Sequence, residues 1–164
     1  MEDPFRGEHV ASVTHRVAAS PSDVWSVLAD GWLYATWVVG ASRIRAVEPG
    51  WPAAGTAVHH SFGVWPLVIN DDTTVVSADP GRELVLRAQG WPLGAATVRV
   101  VLTADGPDTV VEIQEDATAG PGRMVPRPVR QLGVVPRNKE ALRRLGFLAE
   151  GRRKERSGDT SRTA

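Results

Sequence analysis

The sequence contains no cysteine, which excludes disulfide bridges and thiolate metal sites. It also has no uninterrupted apolar run close to the roughly 20 residues that a membrane-spanning helix requires. The first ten residues, MEDPFRGEHV, lack the basic start and apolar centre of a signal peptide. We therefore expect a cytoplasmic protein. A length of 164 residues suits one domain with a sizeable core.

Lysine is scarce, and the excess of arginine together with abundant alanine, glycine and proline is typical of a GC-rich bacterial genome. The charge is unevenly distributed. Residues 1–118 carry 7 basic and 15 acidic side chains (−8), whereas residues 119–164 carry 12 basic and 4 acidic ones (+8). A basic end of this kind either meets an acidic partner, anionic lipid or nucleic acid, or is a solvated helix face followed by a disordered tail. We favour the second interpretation and expect no nucleic-acid partner and no membrane insertion.

A helix start is the strongest local signal in the first third of the chain. Residues 10–17 alternate between apolar and polar side chains, as a half-buried strand does. Ser20 then offers a capping side chain, Pro21 suits the first helical position, and Asp23 completes a capping box. The pattern predicts a helix that runs to about Ala29. A second short helix is predicted around residues 32–37, and Gly40 prevents its continuation.

From residue 42 to residue 116 the pattern is strand, turn, strand, with no helix between. The breakers are short segments rich in glycine, proline and aspartate. Regular spacing of this kind predicts an antiparallel meander. The six predicted strands cover residues 42–47, 56–65, 67–77, 83–89, 97–103 and 109–115.

The last predicted element is a long amphipathic helix. Residues 117–136 are rich in glycine and proline, so we expect an irregular connection there and a helix that starts near Arg137. At 100° per residue its apolar residues, among them Leu142 and Leu145, gather on one face, while Phe147 falls on the charged face. The expected division is an N-terminal arm at 1–9, a domain at 10–152 and a disordered polar tail at 153–164.

One helix laid across a strongly curved sheet cannot fill the whole concave face, so this order of elements predicts a pocket.

The residues that carry this order also resemble a known family. The segment VAASPSDVW (residues 17–25) is similar to the strand-to-helix entry of the START-like (SRPBCC) superfamily. The segments TTVVSADP (73–80) and NKEALRRLGFLAE (138–150) resemble its central hairpin and its closing helix.

The branch it resembles most is the polyketide cyclase/dehydrase and lipid-transport family. The resemblance implies an α+β helix-grip fold, in which a curved seven-stranded antiparallel sheet wraps around the C-terminal helix, with two short helices after the first strand. It also implies an internal cavity for a lipid, a polyketide or another aromatic metabolite. It implies no cofactor, no metal and no fixed catalytic set, and we expect a monomer or a weak homodimer.

Two titratable side chains fall on the predicted inner face of the sheet. His60 shares its face with Phe62, and Glu115 shares its face with Val111 and Ile113. As a site, this imidazole and carboxylate would move protons during a cyclisation or a dehydration. As structure, each is a hydrogen-bonded polar group in the wall, and this second interpretation is the one we favour.

The six tryptophans divide into two groups. We expect Trp25 and Trp32 in the core under the two short helices, and Trp37, Trp65 and Trp91 near a pocket rim, where aromatic side chains suit flat apolar ligands. The candidate ligand-binding residues are Tyr34, Trp37, His60, Phe62, Leu86, Trp91, Val98, Val100, Glu115, Met124, Leu142 and Leu145.

Three functions are compatible with the sequence. The first is binding of a small hydrophobic ligand, as a carrier or sensor. The second is a cyclase or dehydratase that uses His60 and Glu115 as acid and base. The third is an interaction module that uses the basic C-terminal helix. We favour the first, because the sequence shows no dense group of polar residues.

Overall fold

A computed structural model describes residues 11–90, 94–119, 124 and 126–162 of the chain. A first strand and two short helices precede six further strands, and a long helix closes the chain. The strands are β1 (Ala11–Val17), β2 (Ala41–Val47), β3 (Ala57–Val64), β4 (Leu67–Asp79), β5 (Glu83–Gly90), β6 (Gly94–Asp105) and β7 (Asp108–Ala119), and the helices are α1 (Pro21–Leu28), α2 (Tyr34–Trp37) and α3 (Arg127–Arg162), with a 3-10 turn at Gly31–Leu33.

The seven strands form one antiparallel sheet in the order β1-β7-β6-β5-β4-β3-β2. Strands β2 to β6 each pair with the next strand along the chain, and β1 pairs with β7 and forms one edge of the sheet. Because the concave face is apolar over much of its length, α3 packs across it and covers β1, α1 and α2. The predicted helix-grip fold and its order of elements are confirmed.

The capping box at the start of α1 is also confirmed. The Ser20 side chain accepts a hydrogen bond from the Asp23 backbone N–H, and the Asp23 carboxylate accepts one from the Ser20 N–H at 3.2 Å. The far half of α3 is tied to the same region, since Arg156 donates to the Asp23 carboxylate at 2.8 Å and Arg152 to that of Asp30 at 2.9 Å.

Helix α3 is longer at both ends than the sequence predicts. It begins at Arg127 and runs through Pro136, so the predicted start near Arg137 is wrong. A proline inside a helix removes one backbone hydrogen bond and costs about 3 kcal/mol, but Val135 packs against the core beside it and helps to hold the backbone in place. The helix also continues to Arg162, where the sequence predicts disorder from residue 153, because Arg152 and Arg156 hold this extension against the first helical segment.

Two exposed aromatic residues compare differently with expectation. Trp32 is 62% exposed, so its predicted place in the core is wrong. Phe147 is exposed on the charged face as predicted, and the Arg143 guanidinium lies 5.3 Å from its ring centre, which explains how that face accommodates a phenyl ring. In the described part of the chain, no helix combines the length and the apolar character needed to cross a lipid bilayer.

Candidate ligand cavity

A cavity of about 480 Å³ lies between the concave face of the sheet and the first half of α3. Small side chains leave this space open, because Ala88, Ala95, Ala96 and Ala141 stand where larger residues would fill it. Most of the remaining wall is apolar. The larger apolar residues that line it are Trp37, Val38, Val39, Phe62, Ile69, Leu86, Val98, Ile113 and Val134.

A chain of three hydrogen-bonded side chains lies in one wall. The Tyr34 hydroxyl is 2.9 Å from Thr73 Oγ1, and Thr73 Oγ1 is 3.0 Å from His60 Nε2. The Tyr34 and His60 rings also pack against each other, with their centres 5.2 Å apart. These contacts join α2, β3 and β4, because β3 and β4 pair in a register that puts His60 and Thr73 on the same face of the sheet.

Burial keeps the ionisable members of this chain neutral. It lowers the pKa of His60, whose side chain is almost completely enclosed. It raises the pKa of Tyr34 to about 12, against the smaller opposing effect of the hydrogen bond to Thr73. Both groups are therefore uncharged at neutral pH, and the wall presents hydrogen-bonding groups without a net charge.

Asp71 adds a carboxyl group directly across from His60. The two residues are partners in the β3–β4 ladder, and Asp71 is 7% exposed. His60 Nδ1 and Asp71 Oδ2 are both buried and neither has a hydrogen-bond partner within the described chain. Burial raises the pKa of Asp71, and the nearby imidazole opposes that rise. An unsatisfied donor or acceptor at this depth is costly, so these two atoms are an unusual polar pair, with Asp71 next to the cavity wall rather than part of its lining.

A second polar group lies where β7 faces α3. Glu115 accepts hydrogen bonds from Arg137, which is also its ion-pair partner, and from Asn138 Nδ2 at 3.0 Å. The Glu115 side chain is only 10% exposed, whereas that of Arg137 is 36% exposed. All three residues line the cavity. The carboxylate is thus neutralised by its partners and fastens α3 to the sheet directly after Pro136.

Seven of the predicted ligand-binding residues line this cavity. They are Tyr34, Trp37, His60, Phe62, Leu86, Val98 and Glu115. Met124 is 86% exposed and lies outside the cavity, and Trp91 lies outside the described residues.

Three other residues of the predicted set do not line this cavity. Leu142 and Leu145 are fully buried in the core, because they lie one and two turns further along α3 than Asn138, on the same face of the helix but where the core is filled. Val100 shares the face of Val98 but lies further along β6, where the core is filled.

Sequence reasoning did not identify Thr73, Asp71 or Arg137 as parts of a site. Alternation along β4 places Ile69, Asp71 and Thr73 on one face, so a signal for Asp71 and Thr73 was present once the register was known. The position of Arg137 had no such signal, because it depends on a helix that begins ten residues earlier than predicted.

The adjacent histidines face opposite sides of the sheet, as alternation predicts. His59 lies on the outer side, where its Nδ1 is 2.7 Å from an Asp72 carboxylate oxygen and its Nε2 is 3.2 Å from one of Glu48. These contacts, the Asp72 hydrogen bond above all, raise the pKa of His59. Within the described residues, no three histidine or carboxylate side chains gather closely enough to hold a metal ion.

The chain was compared with protein families by its sequence and with solved structures by its fold. The family model described as "Polyketide cyclase / dehydrase and lipid transport" matches residues 8–150. No curated protein matches the chain in sequence.

Solved structures share the fold at low sequence identity. The aromatase/cyclase ZhuI from a Streptomyces species is 21% identical with a TM-score of 0.64, covering 88% of this chain and 96% of that one. A protein from Nitrosomonas europaea is 14% identical with a TM-score of 0.70, covering 90% and 98%. The di-domain ARO/CYC StfQ of the steffimycin pathway is 16% identical with a TM-score of 0.67, covering 91% of this chain, which spans about half (52%) of StfQ.

Proposed function

This chain belongs to the polyketide cyclase/dehydrase and lipid-transport family, and on that premise we propose that it binds a small, mainly apolar molecule in the cavity between sheet and α3. The observation that carries the proposal is the open space itself. Its volume of about 480 Å³ falls within the range of about 300–1,000 Å³ that is typical of ligand pockets. The ligand class that we propose is a lipid, a polyketide or another aromatic metabolite.

The distribution of polar groups describes the ligand further. Most of the wall offers only apolar contact, and an aromatic edge is provided by Trp37 and Phe62. The neutral chain of Tyr34, Thr73 and His60 suits a hydroxyl or carbonyl group, because such groups both donate and accept without bringing in a charge. A carboxylate on the ligand would instead compete with Glu115 for Arg137.

A cavity-filling substitution tests this proposal. Ala96 lines the cavity on β6, whereas Ala104 is exposed on the same strand, so Ala96→Phe and Ala104→Phe form a matched pair. With the fluorescent apolar probe N-phenylnaphthylamine, we expect Ala96→Phe to raise the dissociation constant more than about tenfold, which corresponds to ~1.4 kcal/mol, and Ala104→Phe to leave it unchanged. Equal affinities in both variants and the wild type would refute binding in this cavity.

One observation favours an enzyme as a second candidate. His60 is a buried imidazole that is kept neutral at neutral pH and lies in the cavity wall, and a neutral imidazole is a competent general base. Glu115 is less suited to proton transfer, because Arg137 and Asn138 already bond to it. For a cyclase or dehydratase we therefore assign the proton transfer to His60 and a positioning role to Glu115.

The two candidates differ in what a His60 substitution does. If the chain is an enzyme, His60→Gln abolishes turnover of a polyketide substrate while the affinity for N-phenylnaphthylamine stays within a few-fold. If the chain is a carrier or sensor, incubation with the wild type leaves the bound molecule chemically unchanged. Native mass spectrometry of protein purified from its own host, before and after incubation with the released ligand, distinguishes these outcomes.

The basic C-terminal half of α3 does not support the third function, an interaction module. Arg143 and Arg144 both pair with Glu140, and Arg152 and Arg156 pair with the carboxylates of α1 and the residues after it. Because these cations are engaged within the chain, we do not propose a docking role for this face.

A further inference from the structure

Exposed apolar side chains concentrate at one end of the molecule. The apolar rim, as we define it, consists of Val64, Trp65, Leu67, Val68, Val129 and Leu132. Trp65 is 85% exposed, Leu67 83%, Val64 82% and Leu132 76%. Among the large hydrophobic residues of the described chain, few others are as exposed, and exposed apolar side chains gathered at one end of a molecule mark a candidate interaction site.

The apolar rim lies at the end of the sheet where the cavity is. Val64 and Leu67 are paired at the tip of the β3–β4 hairpin. They lie two residues along each strand beyond the pair Phe62 and Ile69, which lines the cavity. On the other side of the cavity, Leu132 directly precedes Gly133 and Val134, which line it as well. In this meander, the β3–β4 turn, the last residue of β5 and the start of α3 all fall at the same end.

The sequence at this end is uncharged at the hairpin tip and basic at the start of α3. Residues 62–69 contain no charged side chain and carry the tripeptide Trp-Pro-Leu. Residues 117–139 contain four arginines and one lysine but no acidic residue. Arg127 and Arg130 fall in the first turn of α3. Two carboxylates further inward are paired within the chain, Asp72 with Arg45 and Glu115 with Arg137.

We propose that this end of the molecule docks on the surface of an anionic lipid bilayer. Tryptophan favours the boundary between water and hydrocarbon, where its apolar ring and its N–H are both satisfied, and leucine and valine enter the acyl region. Arg127 and Arg130, in the same helical turn as Val129, are residues of the type that anionic headgroups attract. The combination of an exposed tryptophan and aliphatic side chains with basic residues at the start of α3 matches the two components of an anionic lipid surface.

Docking in this orientation brings the cavity against the membrane. An apolar ligand then passes between bilayer and cavity without crossing water, and this consequence rests on the proposed function. The docking itself does not depend on the cavity. The protein lies on the surface and does not cross it.

Vesicle co-sedimentation of the full chain tests the docking. We expect binding to vesicles of phosphatidylcholine and phosphatidylglycerol in equal parts, weaker binding to phosphatidylcholine alone, and a loss of affinity as salt increases. The double variant W65S/L67S should lower the affinity for the mixed vesicles at least about tenfold, since it removes the two most exposed apolar side chains of the rim. The variant R127Q/R130Q should lower it for the mixed vesicles only.

The control variant is Trp32→Ser. Trp32 is also exposed, but it adjoins Asp30, which is bonded to the far half of α3, so its substitution should leave vesicle binding unchanged. Ala96→Phe should also bind vesicles like the wild type, which separates failure of the docking from failure of the proposed ligand site.

Three results would overturn the proposal. The first is no binding of the wild type to the mixed vesicles. The second is an equal loss with Trp32→Ser and with W65S/L67S. The third is a dimer in sedimentation velocity that W65S/L67S dissociates, which would make the rim an interface between two copies of the chain. Circular dichroism verifies that each variant is folded.

Discussion

The two ends of the sheet are covered by the same helix but filled by different side chains. At the end next to α1, the side chains of Leu28, Leu142 and Leu145 have little or no solvent-accessible surface, so the core there is fully packed. At the other end, alanines and glycines face one another across about 480 Å³ of open space, and the surface carries exposed Trp65 and Leu67.

This difference separates stability from binding. Filled space at the α1 end supplies the burial that holds the fold, since each fully buried leucine contributes roughly 1.5–3 kcal/mol. Open space at the cavity end gives up such contacts, and the concave face there stays available to a ligand. A substitution should therefore act on stability at one end and on binding at the other.

The largest expected effect is at the filled end. Leu28→Ala removes a side chain that is 2% exposed, and we expect a loss of about 2–5 kcal/mol in the free energy of unfolding because a cavity remains. The matched change at the cavity end, Leu67→Ala, should alter it by less than about 0.5 kcal/mol. Urea unfolding followed by circular dichroism measures both. A similar loss in both variants would remove the distinction between the two ends.

A smaller effect is expected at the capping box that begins α1. Ser20→Ala removes the side-chain acceptor for the Asp23 N–H and should cost about 1 kcal/mol of unfolding free energy. Ser77→Ala, at an exposed position on β4, is the control and should be neutral. If thermal denaturation shows equal midpoints for the two variants, the cap does not stabilise this end as described.

The smallest expected effects are on the pH dependence of stability, and they differ in sign between His59 and His60 on the two faces of β3. Since burial lowers the pKa of His60, the unfolded chain binds its proton more readily, and stability should fall as pH decreases below the ordinary value near 6.5. The raised pKa of His59 has the opposite sign: its contribution is complete below about 6.5 and is lost as pH rises through the folded-state pKa.

Imidazole resonances measured by NMR between acid and alkaline pH should show His59 titrating above and His60 below the ordinary histidine pKa. The variants His59→Gln and His60→Gln assign the two resonances, and each should flatten the pH dependence of stability only on its own side. Titration of both at the ordinary value would contradict the described environments.

Local sequence signals predicted most of the fold. Ser20 and Asp23 interact within three residues of each other, so their capping box is readable without any tertiary information. Alternation predicted that His60 faces inward and His59 outward, because the two-residue period of a strand leaves no other arrangement.

Features that depend on contacts between distant elements were less accessible. Pro136 suggests a helix boundary from local chemistry alone, yet α3 passes through it. The pairing of Arg137 with Glu115 depends on how α3 lies across β7, which no local pattern encodes. Likewise, Val98 and Val100 share one face, and only the position of α1 decides that the first lines the cavity while the second lies in the core.

The most direct test of the central claim is a methyl NMR titration of the wild-type chain with N-phenylnaphthylamine. If the open end holds the ligand, saturable shifts appear at Ile69, Leu86 and Val98 in the cavity wall, while Leu28 at the filled end stays unchanged. Shifts confined to exposed Val64 and Leu67, or no saturable shift in the cavity wall, would contradict the account.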